Sequence, residues 1–205
     1  ILLVFYVTYS LLLHKVLRIM MDVEAIKTKP EILMVERLLR THHGDLYGDI
    51  FRIGINLSLR ISDLLAIMYE NLDLDSQLYT LSEGKTGKAR QIRLNNTALS
   101  LITKRREQYP DDVYLFQVHS NRTAGLVKPV SRISVARAFQ DVGQRTGIHL
   151  GTHSMRKSRG WAMHSDGVAI EKISKVLNHA TPAVTMAYLG ISKADILNTY
   201  LEYEL

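Results

Sequence analysis

The chain has 205 residues, 46% apolar and 22% charged, and its 26 Lys and Arg outnumber its 20 Asp and Glu for a formal charge of +6. At about 100–200 residues per domain this makes one to one and a half domains with enough apolar content for a sizeable core, and the basic excess fits a nucleic-acid partner without establishing one. The absence of cysteine excludes disulfide scaffolds, Cys-ligated zinc, iron–sulfur clusters and thiol catalysis.

Residues 1–13 (ILLVFYVTYSLLL) form a strongly hydrophobic run closed by His14, Lys15 and Arg18. A membrane span requires roughly 20 apolar residues, more than this run supplies. A secretory signal carries its positive charge ahead of the apolar stretch, whereas here the charge follows. The segment 1–26 therefore reads as a linker or partner-facing helix, with a membrane-surface segment as the alternative. An exposed apolar helix of this kind needs a partner, either another protomer or a further N-terminal domain.

From Thr28 the signals become regular. Thr28-Lys29-Pro30-Glu31 reads as a capping box with proline in the first turn. It opens a helix that runs to His43-Gly44, with Ile32, Val35, Leu38 and Leu39 at helical spacing. His42 and His43 lack an acidic or histidine companion at metal-ligand spacing and read as a helix end. A second helix is predicted over 46–57, and a third near Ser62, whose hydroxyl can cap residues 63–69. Alternating segments at 72–74, 77–81 and 89–94 predict strands, parted by Asp75-Ser76 and by the turn 83–88. Helix returns at 97–107, and Tyr109-Pro110-Asp111-Asp112 turns the chain. Further helices are predicted over 131–146, 153–164, 168–177, 182–188 and, after Gly190, 193–204. The expected fold is α+β and mainly helical, with one small antiparallel β-sheet near its N-terminal part.

Four places hold polar residues that a core pattern does not require. In Leu59-Arg60-Ile61-Ser62-Asp63-Leu64-Leu65 one arginine stands among apolar neighbours at a helix start, either a surface arginine with a buried stem or an anion ligand. The hairpin 83–93 presents Lys85 and Lys88 on a glycine-rich turn, with Arg90 and Arg93 on the strand after it. Gly84-Lys85-Thr86 is not a phosphate-binding P-loop, because Tyr79 occupies the position of that motif's first glycine. The turn is then either a solvated loop or a lysine finger for a DNA groove. In His153-Ser154-Met155-Arg156 the histidine and arginine share a helical face, the pairing of base and phosphate clamp that phosphoryl transfer uses. Last, Leu177-Asn178-His179 precedes Tyr188 by nine residues, counted from the histidine. A tyrosine at a helix end is commonly a packed aromatic, and as a nucleophile it needs neighbouring cations to stabilise its phenolate.

Taken in this order, the four places resemble the catalytic domain of the tyrosine recombinases, the phage-integrase family. The corresponding segments read SLRISDLL with Arg60, GKTGK with Lys85, HSMR with His153 and Arg156, LNH with His179, and then Tyr188. Asn178 stands where that family has glycine, and Lys157 where histidine is common. The family also carries a helical DNA-clamping domain ahead of the catalytic one, for which this chain leaves no room. The expectation is a fragment or a different way of clamping DNA.

The resemblance implies a catalytic domain over 27–190 and a C-terminal helix over 191–205 that is exchanged between protomers. It also implies site-specific breakage and rejoining of DNA through a 3′-phosphotyrosine on Tyr188. Arg60 and Arg156 would hold the non-bridging oxygens, Lys85 would protonate the leaving 5′-oxygen, His153 would take the tyrosine proton or assist the clamp, and His179 would hydrogen-bond a phosphate oxygen. Lys88, Arg90, Arg93, Arg122, Arg132, Lys157 and Arg159 are the expected contacts to backbone phosphates. Neither metal nor cofactor is implied. The implied partners are double-stranded DNA at specific sites and three further copies in a tetramer, with no membrane, in a bacterial or phage-encoded cytoplasmic protein. Two alternatives are a type IB topoisomerase, which places lysine where His153 stands, and a catalytically silent DNA-binding module.

Overall fold

Thr28 opens the first helix. Its hydroxyl accepts from the Glu31 N–H at 3.3 Å, and the Glu31 carboxylate accepts from the Thr28 N–H at 3.2 Å. This reciprocal pairing satisfies two of the donors that a helix start leaves open. The computed structural model describes residues 23–82, 89–119 and 126–202. In it α1 spans Lys29–His43 and α2 spans Asp45–Leu57. The residues 1–22 and the hairpin turn therefore lie outside what is described, as do residues 120–125.

Ile50, Phe51 and Ile53 of α2 are fully buried, and the helix packs against its neighbours along most of its length. The third helix departs from the expected course. α3 covers only Ile61–Leu65 and has no side-chain cap, and Ser62 Oγ lies instead 3.4 Å from Asp63 Oδ1. The chain leaves the helix because its next backbone groups find partners across the fold: Leu115 N–H donates to the Ile67 carbonyl at 2.9 Å and Tyr69 N–H to the Val113 carbonyl at 3.0 Å. These bonds draw Ile67 into the core in extended form, and a single 3₁₀ turn follows at Tyr69–Asn71.

The sheet forms as its alternation predicts. β1 (Leu72–Asp73), β2 (Leu78–Ser82) and β3 (Ala89–Arg93) lie in that order and pair antiparallel, with Tyr79 opposite Ile92 and Leu81 opposite Arg90. α4 (Asn96–Gln108) is capped by Asn95 and α5 (Arg132–Thr146) by Ser131. Then come α6 (Ser154–Ser165), α7 (Ile170–Val176), α8 (Pro182–Leu189) and α9 (Lys193–Glu202). The fold is mainly helical with one small antiparallel sheet. No described helix is long and apolar enough to cross a membrane.

Two features place the second half of the chain. A Cβ on Gly54 would lie 2.2 Å from Met155 Sδ, so only glycine lets α6 seat this closely on α2. The strap before α1 also belongs to the folded unit: Ile26 is buried, its N–H donates to Ser158 Oγ at 2.7 Å, and Glu24 N–H donates to the His149 carbonyl. The main core runs from Ile26 to Met155, while Ile173, Leu177 and Leu189 form a smaller second cluster under α7 and α8.

One charged pair lies inside the main core. Arg105 is 4% exposed and donates to Asp49 Oδ2 at 3.0 Å and to the Leu115 carbonyl at 2.9 Å, while Arg40 donates to Asp49 Oδ1 at 2.8 Å. Removing one member of such a pair leaves an uncompensated buried charge. Asp49→Ala is expected to lower unfolding stability by about 3–5 kcal/mol in urea titrations. Arg145→Ala, which removes the exposed Arg145–Asp141 pair, is expected to leave the urea midpoint nearly unchanged, because solvent screens an exposed pair. Equal losses for the two variants would show that the Asp49 cluster is not effectively desolvated.

Candidate active site

The turn between α2 and α3 builds the first wall. Ser58 adopts a left-handed conformation (φ 54°) as the cap of α2, which turns its carbonyl toward α6. Leu59 and Ile61 bury on either side, leaving the Arg60 side chain exposed between them. On α6 the burial alternates the other way. His153 sits exposed at the helix start, while Arg156 is 3% exposed and donates to the carbonyls of Ser58 and Leu177.

The second wall is the turn from α7 to α8. The last two residues of α7 and the two that follow present carbonyls to three arginines. Arg90 from β3 reaches Val176 O at 2.7 Å and Lys175 O at 3.4 Å, Arg156 reaches Leu177 O at 2.5 Å, and Arg60 reaches Asn178 O at 3.3 Å. A helix C-terminus carries partial negative charge and unsatisfied carbonyls, which offsets the repulsion among the cations. Asn178 takes the left-handed conformation (φ 50°) that reverses the chain here. Asparagine tolerates that region better than other non-glycine residues, which accounts for its presence where the family pattern has glycine.

α8 then brings Tyr188 into the pocket. Thr181 caps the helix, accepting from Val184 N–H at 3.3 Å, and Pro182 occupies its first turn. Leu189 packs against α6 at Gly160, where a Cβ would come within 2.9 Å of the leucine. The Tyr188 hydroxyl lies 3.4 Å from His153 Nδ1 and donates to the His153 carbonyl at 3.3 Å. The His179 ring stands edge-on to the tyrosine ring at 4.9 Å, and Lys157 Nζ lies 5.4 Å from its centre. Arg156 also engages the Tyr188 side chain. A cleft of about 970 Å³ opens beside Tyr188 between the strap, α6 and the start of α9, with Lys27, Lys157 and Trp161 on its walls.

Of the residues singled out in the sequence, Arg60, His153, Arg156, His179 and Tyr188 converge here, joined by Arg90 and Lys157. Arg93 and Arg132 are exposed, at the end of β3 and in the first turn of α5. Arg159 is half-buried, and its Nε has no partner among the described residues. Lys85, Lys88 and Arg122 lie outside the described residues. No group of three metal-ligating side chains occurs among the described residues. His43, read in sequence as a helix end with no companion at metal-ligand spacing, pairs with a carboxylate from a distant helix: its Nε2 lies 2.9 Å from Asp141 Oδ2. Sequence reasoning also passed over Thr185, whose only signal was its place one helical turn before Tyr188.

The electrostatics match an anion site. Burial lowers the pKa of Arg156 from that of a free guanidinium, and Arg60 and Arg90 add to that lowering while Tyr188 opposes it. Burial lowers the His179 pKa as well, and Arg156 and Arg60 push it the same way, so the imidazole is neutral near pH 7. A histidine with a lowered folded pKa binds fewer protons folded than unfolded. Its contribution to stability is full above the ordinary histidine pKa of about 6.5 and is lost as pH falls toward the folded value. In an NMR titration, His179 is expected to have its midpoint below 6.5, and His179→Gln should flatten part of the acid-side loss of stability. A midpoint at or above 6.5 would mean that this ring is neither desolvated nor faced by the two guanidiniums as described.

A model of the phage integrase family matches residues 22–194 of the chain. The probable integrase/recombinase YoeC of Bacillus subtilis strain 168 is 31% identical over 173 residues, covering 83% of this chain and 91% of that protein. The tyrosine recombinase XerA of Pyrococcus furiosus is 27% identical over 172 residues, covering 81% of this chain but only 59% of XerA. Among solved structures, the integrase of the transposon Tn1549 in complex with a circular intermediate DNA superposes with a TM-score of 0.68 at 14% identity, over 88% of this chain and 66% of that one. That last likeness establishes the fold.

Proposed function

The chain belongs to the phage integrase family, and from that premise we propose that it is a site-specific DNA recombinase whose nucleophile is Tyr188. Its Oη attacks the scissile phosphorus while its proton passes to His153, and the 5′-oxygen leaves, taking a proton from Lys85. The product is a 3′-phosphotyrosine with a free 5′-hydroxyl. Attack by the 5′-hydroxyl of a partner strand reverses the step and joins new strands. The phosphotyrosine conserves the energy of the broken bond, so no nucleotide is consumed.

Arg60 and Arg156 stabilise the charge that builds on the non-bridging oxygens, and His179 donates to one of those oxygens. The convergence on the Tyr188 hydroxyl carries this reading. A phenol 3.4 Å from an imidazole nitrogen and in contact with a buried guanidinium is poised to lose its proton and attack an anion. Lys88, Arg90, Arg93, Arg122, Arg132, Lys157 and Arg159 add contacts to backbone phosphates. The structural relative from Tn1549 is a complex with DNA, which supports double-stranded DNA as the substrate here.

Tyr188→Phe is expected to abolish the covalent protein–DNA band on a nicked suicide duplex and to leave DNA affinity nearly unchanged, since one oxygen and no charge is removed. Arg60→Ala should slow single-turnover cleavage by about 10²–10³-fold, as loss of a preorganised charge stabiliser does. Adduct formation by the Phe variant would assign the nucleophile elsewhere, with the exposed Tyr200 as the first alternative.

We also propose that the catalytic unit, residues 27–190 with the strap before α1 packed on it, works as a tetramer on paired sites, with α9 lent to a neighbouring copy. On α9, Leu197, Tyr200 and Leu201 share one face and are 64%, 76% and 81% exposed. That apolar face is uncovered among the described residues, and an apolar stripe at helical spacing requires a partner surface. Deleting residues 192–205 should reduce recombination between two sites by far more than it reduces binding to a single site. Equal effects in gel-shift and two-site assays would make α9 an ordinary part of the domain.

A further inference from the structure

Thr185 is a polar residue with no exposed surface, placed between the two functional elements of the site. It lies on α8, one turn before Tyr188, and its Oγ1 is 3.0 Å from Nδ1 of His179 on the preceding turn. His179 is the partner of that hydroxyl among the described residues. A buried hydroxyl satisfied in this way fixes more than the ring's position. A neutral imidazole carries one N–H, and the bond made by one ring nitrogen decides which nitrogen bears the proton.

Both tautomers could face Thr185, because a hydroxyl donates or accepts. The two differ at the other nitrogen. With the proton on Nδ1, a bare Nε2 lone pair would confront phosphate oxygens, which are acceptors only. With Thr185 donating to Nδ1, the proton sits on Nε2 and the ring becomes a donor. The lowered pKa of His179, caused by burial and then by Arg156 and Arg60, prevents the ring from escaping this choice by carrying both protons.

We propose that Thr185 is a positioning residue whose hydroxyl donates to His179 Nδ1, holds His179 as the Nε2–H tautomer, and thereby ties the ring that contacts phosphate to the helix that carries the nucleophile. This rests on the recombinase reading for its consequence, but the tautomer itself is independent of any reaction. Because Thr185 and Tyr188 share one short helix, a shift of α8 that misplaces the tyrosine also breaks the bond to His179. The donor and the nucleophile are then in register together.

The test uses the full chain labelled with ¹⁵N-histidine, with His179→Gln to assign the signal. Two-bond ¹H–¹⁵N spectra are expected to show His179 as the Nε2–H tautomer. Thr185→Val, close in shape but without the hydroxyl, should shift the signal toward the Nδ1–H form or a mixture. It should also slow single-turnover cleavage by about ten-fold, the low end of the loss seen when a ring-orienting partner is removed from a metal-bound histidine. DNA affinity should stay unchanged, and Thr185→Ser should restore both tautomer and rate. An Nδ1–H tautomer in the unsubstituted protein would overturn the proposal, as would a Val variant that keeps both tautomer and rate. Should the Val variant fail to fold, the unsubstituted and Ser proteins still decide the tautomer. A protein that forms no adduct at all would overturn the recombinase reading alone.

Discussion

The carbonyls at and just past the end of α7 accept hydrogen bonds from three arginines that come from three separate elements, Arg60 before α3, Arg90 on β3 and Arg156 on α6. These bonds join the sheet, the α2–α3 turn and α6 to the one turn that carries His179. Arg156 closes the arrangement by also donating to Ser58. Three guanidiniums at close quarters repel one another, and the groups seen to face them include backbone carbonyls and, for Arg156, the Tyr188 side chain. Carbonyls compensate without neutralising, so the pocket keeps a net demand for an anion. A phosphate would satisfy that demand with charge-assisted bonds stronger than those to carbonyl groups.

The same cations govern the titration of their neighbours. Desolvation and two nearby positive charges keep His179 neutral, leaving it a single proton to give. Tyr188 meets the same field from its half-buried position, with Lys157 over its ring and His153 at its hydroxyl.

The packing of the molecule divides the labour. The main core, centred on α2 and containing the Asp49–Arg105 pair, seats Arg156 through the Gly54–Met155 contact and the Ser58 carbonyl. Tyr188 instead rides on α8, which rests on a cluster of only Ile173, Leu177 and Leu189 with a few half-buried neighbours. Elements with few buried apolar contacts open at lower free energy than the core they rest on. The arginines of the site thus sit on the larger core, and Tyr188 sits on the smaller one.

The sequence by itself determined the helices, because caps and period are local: Thr28, Asn95, Ser131 and Thr181 each sit one residue before the helix they open. It also determined the three-strand meander and the order of the polar segments that carry the family pattern. α3 escaped it, since the helical pattern of 63–69 is cut short by backbone bonds to Val113 and Leu115, some fifty residues away, which no local signal encodes. Within the site, residue types and spacing singled out Arg60, His153, Arg156, His179 and Tyr188, which the fold brings together. Only the tertiary structure decided how they are held. Arg90 reads in sequence as one more cation for DNA, and becomes a clamp on α7 because pairing in the sheet carries it to carbonyls 85 and 86 residues further along. Thr185 reads as an ordinary helix residue and becomes the partner of His179 because the left-handed turn at Asn178 folds the ring back onto α8. Such contacts depend on where two distant backbones meet, and a one-dimensional pattern carries no term for that.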